Sequence, residues 1–161
     1  MDLLDLDDHI PNLGIDPSPE HLEELFQLFK TDFIDNEFYF SNCKVIIDIR
    51  NSKEKGYEKY PHTFVKIITR GPKGKRCFDK KRANKIHWIK PILENKDTDD
   101  ITCFQFLEAD GKTRDYFWFK EGCFLVVMEK ISPNYIIVTC FHIDDDRNQK
   151  YYEDKYSNRV K

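Results

Sequence analysis

Four apolar segments follow one another at close spacing in the second half of the 161-residue chain: ITCFQFLEA (101–109), TRDYFWF (113–119), CFLVVMEK (123–130) and YIIVTCFHI (135–143). Their β-branched and aromatic residues mark strands. The links between them are too short for a crossover, so neighbouring strands must run antiparallel. Asp110-Gly111 in the first link favours a tight hairpin turn. The segments therefore predict a four-stranded antiparallel meander. Strict alternation along the last strand puts Tyr135, Ile137, Thr139, Phe141 and Ile143 on one face, with Thr139 the single hydroxyl in that row.

The residues before the meander read as a mixture. Ser18 and Pro19 form a helix-start signal, and Leu22, Leu25, Phe26, Phe29 and Phe33 recur at three- and four-residue steps, so an amphipathic helix of about four turns follows. KVIIDIR is a strand, and NSKEKGYEKYP is a polar connection. HTFVKIITR reads as a second strand, with His62, Phe64, Lys66 and Ile68 on one face. After the GPKGK turn, Asp79 caps a helix running to about Lys90, which Pro91 stops or kinks. A last short helix carries Tyr151, Tyr152 and Tyr156. The expected fold class is α+β: an N-terminal helical region, then a twisted antiparallel sheet made of the meander plus one or two extra strands, with one inserted helix. The length suits one compact domain, divided into an acidic helical segment (1–42) and a main α+β body (43–161).

Charge is distributed unevenly along this order. Residues 1–42 hold eleven Asp/Glu and one Lys, residues 43–96 hold sixteen Lys/Arg and five Asp/Glu, and residues 97–161 hold nine basic and thirteen acidic residues. The net charge of −3 thus conceals a basic centre able to attract a polyanion, or to pair with the acidic arm. No apolar run is long enough to span a bilayer and the N-terminus lacks a basic signal region, so no membrane association is expected and a cytoplasmic location is. The five cysteines are scattered without CxxC spacing, which predicts reduced, mostly buried thiols and no metal site. Nucleotide-loop, nucleophile-elbow and zinc-helix motifs are absent, and no cofactor is expected.

The chemistry-bearing candidates lie in the basic centre. His62 heads its strand after Pro61, and its ordinary pKa near 6.5 suits proton transfer at neutral pH. Lys66 shares its face and supplies a fixed positive charge. Arg82 continues the apolar stripe of Ile86, Ile89 and Leu93 on the inserted helix; it either marks a phosphate site or lies over the stripe with its head in water. Lys81, Lys85 and Trp88 form a basic and aromatic strip, suited to gripping a single-stranded nucleic acid or simply to facing solvent. His142, near a strand end, ranks second to His62 among the histidines. The acidic runs at 97–100 and 144–146 read as solvated caps.

The order of these pieces, HTFVKI, then KR.F..KRA.KI.WI.PILEN, then FLVVMEK....YIIVTCF, resembles phage-encoded members of the barnase/EndoU/colicin/RelE superfamily of RNases over residues 44 to 143. The resemblance implies a metal-independent endoribonuclease that leaves a 2′,3′-cyclic phosphate, often a toxin or conflict-system effector, with RNA (tRNA included) as substrate and an antitoxin or immunity protein as partner. By position, His62 resembles the family's strand-borne histidine, Arg82 and Lys85 its basic helix residues, and Thr139 the polar residue of the late strand. Joined to the reading of the residues themselves, this gives His62, Lys66, Arg82 and Thr139 as the expected catalytic residues, and Lys81, Lys85, Trp88 and His142 as the expected RNA-binding ones. The competing expectation is a non-catalytic RNA-binding or protein-interaction module that uses the same basic surface.

Overall fold

Helix α1 (Pro19–Phe33) begins where Ser18 caps it, the Ser18 Oγ accepting from the His21 N–H at 3.1 Å, with Pro19 in the first turn. The computed structural model describes residues 2–161. Leu22, Leu25, Phe29 and Phe33 form the buried face of α1, the stripe that the three- and four-residue spacing predicts.

The meander is present as β5 (Thr102–Leu107), β6 (Thr113–Phe119), β7 (Phe124–Ile131) and β8 (Asn134–His142), each antiparallel to the next. Two short strands precede it in the chain, β1 (Tyr39–Phe40) and β2 (Cys43–Ile46). They extend the sheet to six strands in the order β1-β2-β8-β7-β6-β5. β2 runs parallel to β8, with Lys44, Val45 and Ile46 opposite Asn134, Tyr135 and Ile136. The fold is therefore α+β, with a mixed sheet in place of a wholly antiparallel one. The β1–β2 hairpin straddles residues 42 and 43, so the acidic segment contributes an edge strand.

HTFVKIITR is not a strand. His62–Ile68 forms helix α2, and only Thr69–Arg70 is extended, as β3, pairing with β4 (Cys77–Phe78) in a separate two-stranded ribbon. The β-branched residues favour a strand locally, but Phe64, Val65, Ile67 and Ile68 are all buried. Tyr60 and Phe64 join Phe26 and Phe29 of α1 in a cluster of edge-on and tilted rings. Burial on several sides at helical spacing outweighs a propensity worth tenths of a kcal/mol per residue.

The inserted helix is also broken. Asp79 caps α3 (Lys80–Ala83) by accepting from the Arg82 N–H, but a turn at Asn84 and Lys85, then a 3₁₀ turn at Ile86–Trp88, separate it from α4 (Ile89–Glu94). The break has a cause: the Asn84 side chain pairs with both backbone groups of Ile10, at 2.7 and 2.8 Å. Pro91 does not end the helix. It sits in the first turn of α4, where no N–H is needed.

Apolar side chains fill both faces of the sheet. One core joins Phe117, Phe119, Phe124, Val126, Met128, Tyr135, Ile137 and Cys140 to residues of α1, α2 and the 83–93 region. The other joins Phe104, Tyr116, Trp118, Leu125, Val127, Val138 and Ile143 to Tyr152 of α5 (Asp146–Ser157), with Tyr156 packed against it. Asp145 caps α5 through the Asn148 N–H. A β-bulge in β8 exchanges the two faces: Thr139 stands opposite Val127 but Ile137 opposite Met128, leaving Val138 as the extra residue. The single-face row predicted for Tyr135 to Ile143 is thus divided. Tyr135 and Ile137 face the helices, whereas Thr139 shares the α5-side face with Val127. All five cysteines are free, but only Cys140 is buried, contrary to the expectation for most of them.

Candidate functional site

Two clefts carry most of the charged residues singled out from the sequence, Lys85 excepted, and they divide those residues between them. The first, of about 530 Å³, lies between α2 and residues 48–54, and is lined by His62, Val65 and Lys66 of α2 with Asp48, Arg50, Lys53, Glu54, Lys73 and Arg76. His62 and Lys66 meet there although their segment is a helix. A spacing of four is even, which keeps two residues on one strand face, and is close to one helical turn, which does the same on a helix. His62 is exposed at the mouth of the cleft. Its backbone N–H donates to the Arg50 carbonyl at 2.7 Å, which fixes the start of α2 against the cleft's opposite wall.

Lys66 is half-buried. Burial lowers its pKa, the Arg114 and Arg76 charges lower it further, and Glu129 opposes them. Arg114 and Glu129 are themselves joined, Nε to Oε1 at 3.2 Å. Arg76 is held by oxygens at the end of α2 and just beyond: Thr69 Oγ1 at 2.8 Å, the Gly71 carbonyl at 2.7 Å, the Lys66 carbonyl at 3.0 Å and the Thr69 carbonyl at 2.6 Å. Those bonds use four of its five N–H donors and spend none on a carboxylate, so its charge stays available to the cleft. Asp48 is tied to Arg50 by bonds of 2.9 and 2.6 Å. The Arg50 side chain is the main cause that holds the Asp48 carboxyl down to about 2, with the His62 charge adding to it. Five cations face two carboxylates across this cleft, a local excess that the net charge of the chain conceals.

The second cleft, of about 440 Å³, lies where the end of β8 meets α3 and α5. Arg82, Lys81 and His142 line it with Arg70, Lys80, Phe141, Asn148 and Tyr152. Lys81 pairs with Asp144, and His142 Nε2 lies 3.4 Å from the same carboxylate. Burial is the main cause that lowers the His142 pKa.

Three residues expected at a nucleic-acid surface lie in neither cleft. Thr139 is buried on the α5-side face, and its hydroxyl reaches only the Cys140 carbonyl, at 3.4 Å. Lys85 and Trp88 are 7% and 5% exposed, so they form no solvent-facing strip. Lys85 Nζ binds Asp8 at 2.7 Å, and Trp88 Nε1 donates to the Asp7 carbonyl at 3.1 Å, so the acidic arm covers them. That arm packs on residues 84–88 and contributes no lining residue to the first cleft.

Arg76, Arg50 and Asp48 were not singled out by sequence reasoning. The density of basic residues marks the region, but nothing local tells Arg76 apart from its neighbours Lys73 and Lys75. Comparison of the chain with protein-family models, with curated proteins and with solved structures gave no match.

Proposed function

We propose that the first cleft is the active site of a metal-independent endoribonuclease of the barnase/EndoU/colicin/RelE type. The observation that supports it most directly is the convergence of His62 and Lys66 in a groove where Arg50, Lys53, Lys73 and Arg76 outnumber the carboxylates. In this reading the ribose 2′-oxygen attacks phosphorus and the bond from phosphorus to the 5′-oxygen breaks, giving a 2′,3′-cyclic phosphate and a free 5′-hydroxyl. His62 takes the 2′-hydroxyl proton. Lys66, made more acidic by burial and by two neighbouring guanidinium groups, gives its proton to the departing 5′-oxygen. Arg76 offsets the charge that builds on the phosphoryl oxygens. Arg82 acts behind it, from the second cleft. Thr139, by its burial, has no assigned step.

RNA, tRNA included, is the substrate class, and an acidic antitoxin or immunity protein fits the same groove as a silencing partner. Among the described residues no helix is long and apolar enough to cross a membrane. The test is incubation of the purified protein with tRNA and total RNA in excess EDTA. His62→Ala should slow cleavage by about 10²- to 10⁴-fold, the usual cost of losing a general acid or base. Cleavage at the original rate in that variant rules out the mechanism.

One observation favours the competing reading, a binding module without catalysis. Arg50 and Lys73 are exposed side chains, suited to a salt-sensitive grip on a polyanion as much as to chemistry. RNA retention without cleavage, weakened about equally by each lysine removed, is its signature.

A further inference from the structure

Arg82 is 6% exposed and yet poorly satisfied. Of the five N–H donors of a guanidinium, one makes a hydrogen bond among the described residues, from Nη1 to the Thr69 carbonyl at 2.6 Å. Its Nε is buried without a hydrogen-bond partner, the nearest carboxylate oxygen, Asp79 Oδ2, being 3.8 Å away. Removing an arginine from water without acceptors is costly, and natural proteins keep few such groups without a reason. The guanidinium lies over the Phe141 ring, 4.9 Å from its centroid, and it lines the second cleft.

The carboxylates of that cleft are already engaged. Asp79 and Asp145 cap α3 and α5, and Asp144 holds Lys81 and faces His142. Asp79 is the one carboxylate near Arg82, its Oδ2 3.8 Å from Arg82 Nε and 3.9 Å from Arg70, so a single charge is shared by two arginines. The remaining Nη donors of Arg82 and the exposed Lys80 side chain make no hydrogen bond among the described residues, beside a wall formed by Phe141 and Tyr152 whose rings are 5.6 Å apart. A fork of N–H donors matches phosphate oxygens, and an aromatic wall matches the face of a base. A volume of about 440 Å³ falls within the range of sites that enclose a small ligand.

We propose that the second cleft is a nucleotide-binding subsite, in which Arg82 and Lys80 hold a phosphate and Phe141 and Tyr152 take the base. The assignment rests on the RNA-cleavage reading of the first cleft and extends it: Arg76 of that cleft and Arg82 of this one reach the same Thr69 oxygen, so the two clefts adjoin, and in this reading one RNA strand runs from one into the other. The second cleft then selects the nucleotide beside the scissile bond.

The experiment uses the full chain carrying His62→Ala and Lys66→Ala, which disables the first cleft. AMP, GMP, CMP and UMP are each titrated while the amide resonances of residues 78–82 and 141–148 are followed by NMR, with inorganic phosphate as the reference anion. At least one nucleotide should shift these resonances saturably and bind at least about tenfold tighter than phosphate, since stacking adds to the charge contact. Lys80→Ala, at an exposed position, should weaken that binding several-fold with the fold intact, and Phe141→Leu should remove most of the advantage over phosphate. The proposal falls if no nucleotide moves these resonances at millimolar concentration, or if phosphate binds equally well. Failure of the nuclease reading looks different: nucleotides still bind here, but wild-type protein leaves RNA uncut.

Discussion

Arg76 and Arg82 converge on one acceptor, each placing a guanidinium nitrogen 2.6 Å from the Thr69 carbonyl oxygen. Like charges so close repel. Burial first, and Arg82 second, lower the Arg76 pKa. The arrangement persists because the carbonyls of Lys66, Thr69 and Gly71, left over where α2 gives way to β3, need donors that no further helical turn supplies. The two arginines therefore connect the end of one helix to both clefts.

Arg76→Gln should consequently destabilise the protein more than a typical surface substitution. It removes charge-assisted bonds to several acceptors at once and leaves some of them without a donor. A loss of about 2–3 kcal/mol is expected from urea unfolding, against about 0.5 kcal/mol or less for exposed Lys75→Gln.

Lys66→Met should raise stability while lowering RNA affinity. The folded-state pKa of Lys66 is depressed, so at neutral pH folding carries the cost of a poorly solvated ammonium. The unfolded chain binds the extra proton between the depressed folded value and the ordinary 10.5, so the penalty is full below that window and fades as pH rises through it. The stability gained by the variant should be at most about 1 kcal/mol, because solvent screens a half-exposed group. It should shrink as the buffer is moved from neutral to alkaline pH. An advantage that grows with pH contradicts this account.

Asp48→Asn should separate binding from catalysis. Arg50 holds the Asp48 carboxyl down to about 2, so the anion is present at any ordinary assay pH and its removal adds one positive charge to the cleft. RNA should bind more tightly at low salt, with the gain diminishing as salt is raised. Cleavage per bound RNA should fall, because the carboxylate of the cleft that the His62 charge acts on has been neutralised. Filter binding and single-turnover cleavage measure the two effects independently.

Thr139→Val should leave any RNA cleavage within a few-fold of wild type. Its hydroxyl makes one long contact, to a neighbouring carbonyl, and it lines neither cleft. A loss of about 100-fold or more, comparable to removal of a general acid or base, would restore it to the mechanism.

Deleting residues 2–17 should destabilise the chain, not merely uncover charge. Leu3, Ile10 and Leu13 are buried in the main core, and each buried aliphatic side chain contributes roughly 1.5–3 kcal/mol. A loss of at least about 4 kcal/mol in urea is expected, and RNA access to the first cleft should be unaffected by release of the arm.

Much of the architecture is legible in the sequence. The meander and α1 are, because their periodicity and their flanking turn and cap residues agree. α2 is not: HTFVKIIT satisfies a two-residue repeat, and what favours a helix is packing from elsewhere in the chain, including the rings of Phe26 and Phe29 more than thirty residues earlier. The pairing of His62 with Lys66 survives that error because their spacing suits both structures. The surface strip at Lys85 and Trp88 does not, since a residue's exposure depends on what covers it, and here Asp7 and Asp8 of a distant segment do so. The misplaced face of Thr139 has another source: a bulge leaves no mark in alternation, and a single extra residue inverts every assignment beyond it.

That extra residue makes β8 tolerant of shortening in an unusual way. Since Val127 already meets Thr139 and Met128 already meets Ile137, excising Val138 would close the ladder without disturbing a pairing on either side. What such a chain would lose is the local bend a bulge imposes and the Val138 side chain, buried in the α5-side core, while Tyr135 and Ile137 would keep facing the helices and Phe141 the tyrosine-bearing one.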